Sequence, residues 1–152
     1  MLYTTKFNDV PEVEEDVCIP FGRARIVAEG ADITVVTNSM MTIKAEKAVR
    51  QLQKEGISAE LIDLRTIVPL DTETIIRSVK KTGKLLIVDE GHLSFGITGE
   101  IASRIMPDVF YDLDAPIQRM GTADVPLPFS PALEFPLIPD EKKIAAKIRE
   151  MV

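Results

Sequence analysis

The chain has 152 residues, a formal net charge of −6, 45% hydrophobic residues and one cysteine, Cys18. This length is typical of a single domain that buries its own core. The acidic excess argues against nucleic-acid binding, which needs a clustered basic surface, and one cysteine excludes an internal disulfide. No apolar run reaches the roughly 18 residues of a membrane span, and the N-terminus lacks the pattern of a secretory signal. We therefore expect a cytoplasmic protein that binds neither nucleic acid nor a membrane.

The first segments predict an arm followed by the start of a sheet. Residues 1–21 are acidic and irregular, and we interpret them as an N-terminal arm. An edge strand is expected over 22–30, and the β-branched run 31–39 predicts a buried strand. A helix should follow, since apolar residues recur at helical spacing and Gly56 then terminates the pattern. The residues that define this helix are the candidate caps Asn38 and Ser39 and the apolar positions Met41, Ala45, Ala48, Val49 and Leu52.

A second strand and a second helix follow. The apolar run 58–64 predicts the strand. Asp71 then offers a carboxylate to the free amides of a helix expected over 72–81. Gly83 ends that helix, and the apolar run 84–90 predicts a third strand.

The last third of the chain is richer in proline than the rest. A helix begins near Ile97 and is expected to stop before Pro107, because proline lacks the amide hydrogen that a helix interior needs. A short strand is predicted over 115–120. Six of the ten prolines lie in 116–139, and we expect this segment to wrap the outside of the domain. An apolar stripe predicts a final helix over 140–151.

Strands that alternate with helices of ten to fifteen residues indicate parallel crossover connections. We therefore predict a three-layer α/β fold with a mostly parallel sheet and helices on both faces. Residues 22–152 are expected to form one domain.

Polar residues follow each predicted strand, where ligands bind in open parallel sheets. Asp63 and Arg65 come after the second strand, and on an extended chain their side chains point the same way. This pattern favours a structural or interface ion pair over direct ligand contact.

The segment 89–100, "DEGHLSFGITGE", contains His92, the only histidine of the chain. Its glycine spacing does not fit a dinucleotide-binding fingerprint. Gly91 and Gly96 have the spacing of a phosphate loop, but Ile97-Thr98 stands where that loop requires Lys-Ser/Thr. A single histidine on a polar loop is more typical of a surface or interface hydrogen bond than of a general base. The sequence has no nucleophile elbow and no second ligand cluster. We infer that the domain, taken alone, lacks a reaction centre.

A resemblance to a known family extends in order over nearly the whole chain, and it is carried by the segments "IPFGRARIVAEGADITVVT", "AELIDLRTIVPLDTETIIRSVKKTGKLLIVDEGHLSFGITGEIASRI" and "LDAPIQRMGTADVPLPFSPALEFPLIPD". Within them, "IDLRTIVPLD" together with "VDEGH" and its following glycine is more specific than any short motif. The chain resembles the C-terminal domain, of transketolase C-terminal type, of the β subunits of thiamine-diphosphate-dependent 2-oxo acid dehydrogenases. The resemblance implies an oxidoreductase that decarboxylates a pyruvate-type or branched-chain 2-oxo acid on thiamine diphosphate and transfers the acyl group to a lipoyl arm. It implies that this domain assembles and supports the enzyme, while thiamine diphosphate and Mg are held by the α subunit and the N-terminal half of the β subunit.

The same resemblance implies partners and surfaces. The partners are the N-terminal half of the β subunit, the α subunit, a second β subunit in a homodimer, and the binding domain of a dihydrolipoyl acyltransferase. Asp114 and Val152 match the region that docks the acyltransferase, whose basic charge would speed association with an acidic surface. The implied subunit-interface residues are Asp63, Arg65, Pro69, Glu90, His92 and Gly96.

Two alternatives stay open. The stretch "PFSPALE" at 128–134 is also similar to the β subunits of acetoin dehydrogenase. A hypothesis from another class is a freestanding, non-catalytic interaction module.

Overall fold

A five-stranded sheet forms the centre of the molecule in the computed structural model, which describes residues 18–152. The strand order is β1-β3-β2-β4-β5; β1 runs antiparallel to β3, and all other pairs are parallel. The predicted N-terminal arm lies outside the described residues except for 18–21. The strands are β1 (Arg25–Ala28), β2 (Ile33–Thr37), β3 (Ala59–Asp63), β4 (Leu85–His92) and β5 (Gln118–Thr122).

Helices cover both faces of this sheet, as predicted. The helices are α1 (Ser39–Lys54), α2 (Thr72–Thr82), α3 (Ile97–Val109), α4 (Pro131–Glu134) and α5 (Glu141–Met151). On one face, α1 and α5 pack together over a core that contains Val35, Leu61 and Leu86. On the other face, α2 and α3 cover a second core with Val36, Ile62 and Ile87. Successive strand residues therefore point their side chains alternately into the two cores, which gives the predicted three-layer α/β fold.

The helix boundaries follow from capping groups that the sequence shows. Asp71 accepts a hydrogen bond from the Thr74 amide at 3.1 Å, and Asp140 accepts one from the Lys143 amide at 2.8 Å. Gly83 ends α2 with a φ of 68°, in the left-handed region that glycine adopts without strain. At the start of α1 the expected cap differs, because the Asn38 side chain makes no capping hydrogen bond.

The predicted stop of α3 before Pro107 is wrong. The helix continues through Pro107 to Val109. The turn of helix that Pro107 disrupts lies on the exposed side, where water can reach the freed carbonyl of Ser103, and Ile105 and Val109 remain buried. Burial of the apolar stripe on both sides of the proline outweighs the lost backbone hydrogen bond.

Two other boundaries also differ from the prediction. Strand β4 extends to His92, two residues beyond the predicted strand, so His92 lies at the end of a strand and not in a loop. The extension is held by pairing of His92 with Thr122 beyond a bulge in the β4–β5 ladder. The proline-rich segment 116–139 contains β5 and the short helix α4, so part of it is regular.

Polar groups at the edge where the parallel strands begin are bonded to one another, and we call this the amino edge. Glu60 on β3 is 2% exposed and forms an ion pair with Lys81 of α2. Burial raises the pKa of Glu60, but hydrogen bonds from Lys81, Ser78 and other neighbours outweigh burial and lower the pKa below its usual value.

A set of buried hydroxyls lies beside this ion pair. The Thr34 hydroxyl is 2.7 Å from those of both Ser78 and Thr82. Further along the same edge, the Arg149 guanidinium donates to both carboxylate oxygens of Glu55 at 2.8 Å and lowers the pKa of Glu55 to about 2. The amino edge therefore holds a hydrogen-bonded cluster around Glu60 and Thr34, and a separate ion pair between Glu55 and Arg149.

Within residues 18–152, no helix combines the length and the hydrophobicity that crossing a membrane requires.

Candidate functional site

The opposite edge of the sheet, where the parallel strands end, carries the residues that the sequence predicted to be functional. We call it the carboxyl edge. It is built by the segment 18–22 before the antiparallel β1, by the loop 64–71 after β3, by the loop 93–96 after β4, and by the connection 123–139 that leads from β5 to α5. All four follow from the topology, because parallel strands end on one side and β1 starts there.

The carboxyl edge exposes most of the large apolar side chains that lie outside the core. Of the thirteen exposed large hydrophobic residues in the described part of the chain, ten belong to these four segments. Isolated exposed apolar residues are ordinary, but a concentration on one side of a domain is typical of a surface that another protein covers. The ten are Ile19, Phe21, Ile67, Val68, Phe95, Val125, Leu127, Phe129, Leu133 and Phe135.

Asp63 and Arg65 are both at this edge, but their predicted geometry is wrong. Strand β3 ends at Asp63, and Arg65 has a φ of 56°, so the chain turns instead of continuing extended. The Asp63 carboxylate accepts a hydrogen bond from the Arg65 amide at 3.1 Å. This local bond holds the turn. Among the described residues, neither side chain forms an ion pair.

Pro69 lies in a loop that is tied to the start of β1. The Thr66 hydroxyl donates to the Pro69 carbonyl and accepts from the Gly22 amide, both at 2.9 Å. The Val68–Pro69 peptide bond is cis. A Cβ at residue 22 would contact the Pro69 ring at 2.9 Å, and its φ of 73° also requires glycine. The loop and the incoming chain therefore form one folded corner.

Asp71 completes that corner. Its carboxylate accepts from the Ala24 amide at 2.9 Å and from the Thr74 hydroxyl at 2.8 Å. Burial raises the pKa of Asp71, but the hydrogen bonds from Ala24 and Thr74 outweigh burial and hold the pKa below its usual value. One carboxylate thus caps α2 and fixes β1 beside it.

The second part of the site joins the loop after β4 to the connection after β5. His92 Nδ1 lies 2.9 Å from the Ala123 carbonyl oxygen. Ser94 donates to Asp124 twice, from its amide at 3.2 Å and from its hydroxyl at 2.5 Å. These two bonds to Ser94 lower the pKa of Asp124. We call residues 92–96 and 123–126 the two-loop clamp.

The clamp places an aromatic ring in solvent. Phe95 has a φ of 57° and a side chain that is fully exposed. Gly96 follows it, and a Cβ there would collide with the His92 carbonyl oxygen, so only glycine fits. Beside the ring is a cavity of about 370 Å³ lined by His92, Ser94, Phe95, Asp124, Val125 and Pro126.

The six predicted interface residues form two groups on this edge. Asp63, Arg65 and Pro69 follow β3, whereas Glu90, His92 and Gly96 follow or end β4, and β2 lies between those strands. Both groups share the carboxyl edge, but within residues 18–152 no hydrogen bond joins them directly. Sequence reasoning missed Ser94, Phe95 and Asp124. Ser94 and Asp124 are 30 residues apart, and the parallel pairing of β4 with β5 brings them together.

Asp114 and Val152, the predicted docking residues, lie at the amino edge. The Asp114 amide donates to the Gly83 carbonyl at 2.8 Å, and Val152 ends α5. Asp114 also lines a mainly apolar cavity of about 640 Å³ between α3 and β5, together with Met106, Phe110 and Ile117.

Comparison with known proteins extends these observations. The family model "Transketolase, C-terminal domain" matches residues 22–144. The chain is 46% identical over 151 residues to "Pyruvate dehydrogenase E1 component subunit beta" of Rickettsia felis, covering 99% of this chain and 45% of the relative. It is 41% identical to the 2-oxoisovalerate dehydrogenase subunit beta of Bacillus subtilis, covering 90% and 42%. The acetoin:2,6-dichlorophenolindophenol oxidoreductase subunit beta of Cupriavidus necator is 42% identical, with 94% and 42% covered.

A solved structure described as a split gene transketolase, inactive beta4 tetramer, is 27% identical with a TM-score of 0.73, and the match covers 93% of this chain and 45% of that one. The chain spans less than half the length of the relatives it matches. The predicted fold is confirmed, and so is the predicted resemblance to dehydrogenase β subunits. The chain belongs to the transketolase C-terminal domain family.

Proposed function

We propose that the chain is the C-terminal assembly and support domain of the β subunit of a thiamine-diphosphate-dependent 2-oxo acid dehydrogenase. The complete α/β enzyme would decarboxylate a pyruvate-type or branched-chain 2-oxo acid and pass the acyl group to a lipoyl arm in a cytoplasmic multienzyme complex. The observation that carries the proposal is the carboxyl edge. Its exposed apolar residues are concentrated on one side, which supports contact with other protein surfaces.

The corner around Pro69 and the two-loop clamp would shape the subunit contacts. Hydrogen bonds hold both loops in place before any partner binds, so that little ordering cost remains on association. Asp63, Arg65, Glu90, His92 and Gly96 would act with Pro69 at these contacts, with the N-terminal half of the β subunit, the α subunit and a second β subunit as the partners.

The described side chains do not fit a magnesium–diphosphate site. No group of three or more His, Cys, Asp or Glu side chains suited to a metal occurs within residues 18–152. Two carboxylates near the carboxyl edge are already engaged: Asp89 accepts from the Gly91 amide at 2.9 Å, and Asp124 accepts from Ser94. The proposal therefore places the cofactor in the other half of the β subunit and in the α subunit.

Asp114 and Val152 are proposed to dock the binding domain of the acyltransferase. The cavity beside Asp114 supports this role, because its lining is mainly apolar and also carries the charged side chains of Asp114 and Arg119, which suits a charged, partly apolar partner. This surface lies at the amino edge, opposite the proposed subunit interface.

The names of the relatives support more than one candidate substrate for the complete enzyme. The similarity to the Cupriavidus necator acetoin oxidoreductase subunit supports acetoin as the second candidate. A domain of this kind leaves the choice to the rest of the enzyme. An assay of the complete α/β pair with pyruvate, branched-chain 2-oxo acids and acetoin would decide between them. If no activity and no association with an α subunit is found, the chain is a freestanding interaction module.

The assembly role can be tested in the complete β subunit co-expressed with its α partner. Val68→Asp puts a charge on a side chain that is 85% exposed at the carboxyl edge. We expect loss of the α/β assembly in sedimentation experiments. Tyr111→Asp, at a side chain that is 96% exposed and outside the carboxyl edge, should assemble normally. Equal assembly of both variants would contradict the proposal.

The cofactor assignment can be tested on the chain alone. Titration calorimetry with thiamine diphosphate and Mg²⁺ should give no heat of specific binding. Binding at micromolar affinity would place a cofactor site in this domain and overturn the assignment.

A further inference from the structure

We propose that the cavity beside Phe95 is a binding site for a guanidinium group, and that its occupant is an arginine side chain of a partner subunit. The inference rests on the proposed function, because it names the chemistry of one contact at the carboxyl edge. Three groups that line the cavity would hold the cation: the Phe95 ring, the Asp124 carboxylate and the His92 imidazole.

The hydrogen bond of His92 fixes which ring nitrogen carries the proton. His92 Nδ1 lies 2.9 Å from the Ala123 carbonyl oxygen. A carbonyl oxygen only accepts hydrogen bonds, so Nδ1 must be the donor. In the neutral ring Nε2 then has a free lone pair, and it is the nitrogen that remains available as an acceptor.

The Asp124 carboxylate is a second acceptor, and it carries a full negative charge. The two hydrogen bonds from Ser94 lower the pKa of Asp124, so the group is ionised at neutral pH. Each bond uses one lone pair, and each carboxylate oxygen keeps another. Within residues 18–152, Asp124 takes part in no ion pair.

Phe95 adds the face of an aromatic ring. The ring is fully exposed, and the bonds between Ser94 and Asp124 hold the loop that carries it beside the carboxylate. The face of an aromatic ring has a negative potential and attracts a cation that lies over it. The ring and the carboxylate therefore attract the same kind of ligand.

The polar side chains of this cavity accept hydrogen bonds and offer no free donor, since the Ser94 hydroxyl already donates to Asp124. An anionic ligand would therefore meet acceptors only. A guanidinium is planar, so it can lie flat on a ring while its N–H groups donate to a carboxylate and an imidazole. Val125 and Pro126 complete the lining of this space of about 370 Å³ and can cover the methylene stem of an arginine.

The position of the cavity indicates the source of the guanidinium. The cavity lies among the exposed apolar side chains of the carboxyl edge, which we propose to be covered by other subunits. Arginine is enriched in protein interfaces and among the side chains that dominate their binding energy. The net charge of −6 also favours a cationic group on the partner over an anionic one.

The first test uses the imidazole as its own reporter. His92 is the only histidine of the chain, so its NMR signals need no further assignment. The probe is acetyl-arginine amide, added to the 152-residue chain at constant pH and ionic strength. We expect a saturable shift of the His92 signals with a dissociation constant on the order of 1–10 mM, because a single exposed contact is weak. The absence of a saturable shift would overturn the site.

Variants and a second probe test the geometry. Asp124→Asn keeps an acceptor for Ser94 but removes the charge, and Phe95→Leu removes the ring. Each should raise the dissociation constant at least about fivefold. Asp108→Asn removes an exposed carboxylate outside the cavity and should bind the probe like the unaltered chain.

Acetyl-lysine amide should bind at least about threefold more weakly than the arginine probe, since an ammonium lacks the planar fork. Equal binding of the two probes would contradict a guanidinium site. So would equal binding of the arginine probe by Asp124→Asn and Asp108→Asn. Circular dichroism should show the same fold in all variants.

The source is tested in the complete β subunit with its α partner. Asp124→Asn should raise the dissociation constant of the assembly at least about fivefold in sedimentation, and Asp108→Asn should not change it. If the chain binds the probe but Asp124→Asn assembles like the unaltered enzyme, the site takes a free small molecule and the partner arginine is wrong.

These results are separable from the assembly test. If the chain does not bind the probe but Val68→Asp still disrupts the α/β enzyme, the proposed function survives and the guanidinium site fails. If the chain binds the probe but neither Val68→Asp nor Asp124→Asn affects assembly, the proposed interface fails and the partner arginine fails with it.

Discussion

The two edges of the sheet use their residues in opposite ways. At the amino edge, the buried Glu60 is paired with Lys81, and the Thr34 hydroxyl lies 2.7 Å from two others. At the carboxyl edge, apolar side chains face solvent, and Arg65 and Phe95 have positive φ angles. At the amino edge the polar groups bond to one another. The carboxyl edge has exposed apolar side chains and strained backbone conformations that do not stabilise the isolated domain.

This difference separates the groups that stabilise the fold from the side chains that are proposed to contact the other subunits. The buried polar interactions at the amino edge should stabilise the fold and leave the association of α and β subunits unchanged. Side chains at the carboxyl edge should affect association and leave folding nearly unchanged, because exposed positions contribute little to the free energy of unfolding. Substitutions at the two edges can test this separation.

The largest expected effect is at the Lys81–Glu60 pair. Lys81→Met leaves the Glu60 carboxylate buried without its cation, and we expect the free energy of unfolding to fall by about 2 to 3 kcal/mol. Urea denaturation followed by circular dichroism measures the change. Lys80→Met is the control, since Lys80 and Asp112 are 3.8 Å apart with both side chains more than 40% exposed, and it should cost less than about 0.5 kcal/mol. Equal losses for the two variants would contradict a stabilising amino edge.

The same pair predicts a dependence on pH. The pKa of Glu60 in the folded protein is below its ordinary value of 4.5, so the unfolded chain takes up a proton first as the pH falls. The stabilisation is complete above the unfolded pKa and is lost as the pH falls through the folded pKa. Between about pH 5 and 3, wild-type protein should lose more stability than Glu60→Gln in urea titrations. Glu73→Gln, at an exposed position, should follow the wild type; a Glu60→Gln curve parallel to the wild type would refute the linkage.

Two buried threonines should respond with opposite signs. Thr34→Val at the amino edge removes a hydroxyl that contacts Ser78 and Thr82, and we expect a loss of about 1 to 2 kcal/mol. Thr98 in the first turn of α3 is 1% exposed, and its hydroxyl has no hydrogen-bond partner within the described structure. Thr98→Val should therefore raise the free energy of unfolding by about 0.5 to 1 kcal/mol. Thermal and urea unfolding measure both variants, and two losses of equal size would remove the distinction between them.

The layers of the fold could be predicted from the sequence, because hydrophobic periodicity and helix caps are properties of short stretches of chain. Apolar residues at helical spacing define α1, α2 and α5 within a few residues, and the Asp71 carboxylate marks the start of α2. The predicted end of α3 at Pro107 was wrong because buried residues on both sides of the proline hold the helix. This tertiary effect overrides the local propensity of proline. The predicted geometry of Asp63 and Arg65 was wrong because it assumed an extended chain. The positive φ of Arg65 turns the backbone, so the two side chains do not point the same way.

The candidate site was only partly predictable. Its location at the ends of the strands follows from topology, so the sequence identified the correct edge. The two-loop clamp depends on Ser94 and Asp124, which no local pattern connects, and on parallel pairing of β4 with β5. The exposure of Phe95 is also a tertiary property, since an apolar residue beside a glycine gives no sign of whether it is buried.

The smallest expected effect concerns the strain at Phe95. Phe95→Gly removes the ring and relaxes the positive φ, so the isolated chain should gain about 0.5 to 1 kcal/mol of unfolding free energy. Phe95→Ala removes the ring but keeps the strain, and it should leave stability unchanged.

Arg65→Gly relaxes a similar φ of 56° at the same edge. It should stabilise the isolated chain like Phe95→Gly, because both substitutions relax a positive φ. Urea denaturation of the three variants separates the effect of the strain from the effect of the ring. A loss of stability in Phe95→Gly would mean that the ring packs within its own chain, and the carboxyl edge would then resemble the amino edge in serving the fold.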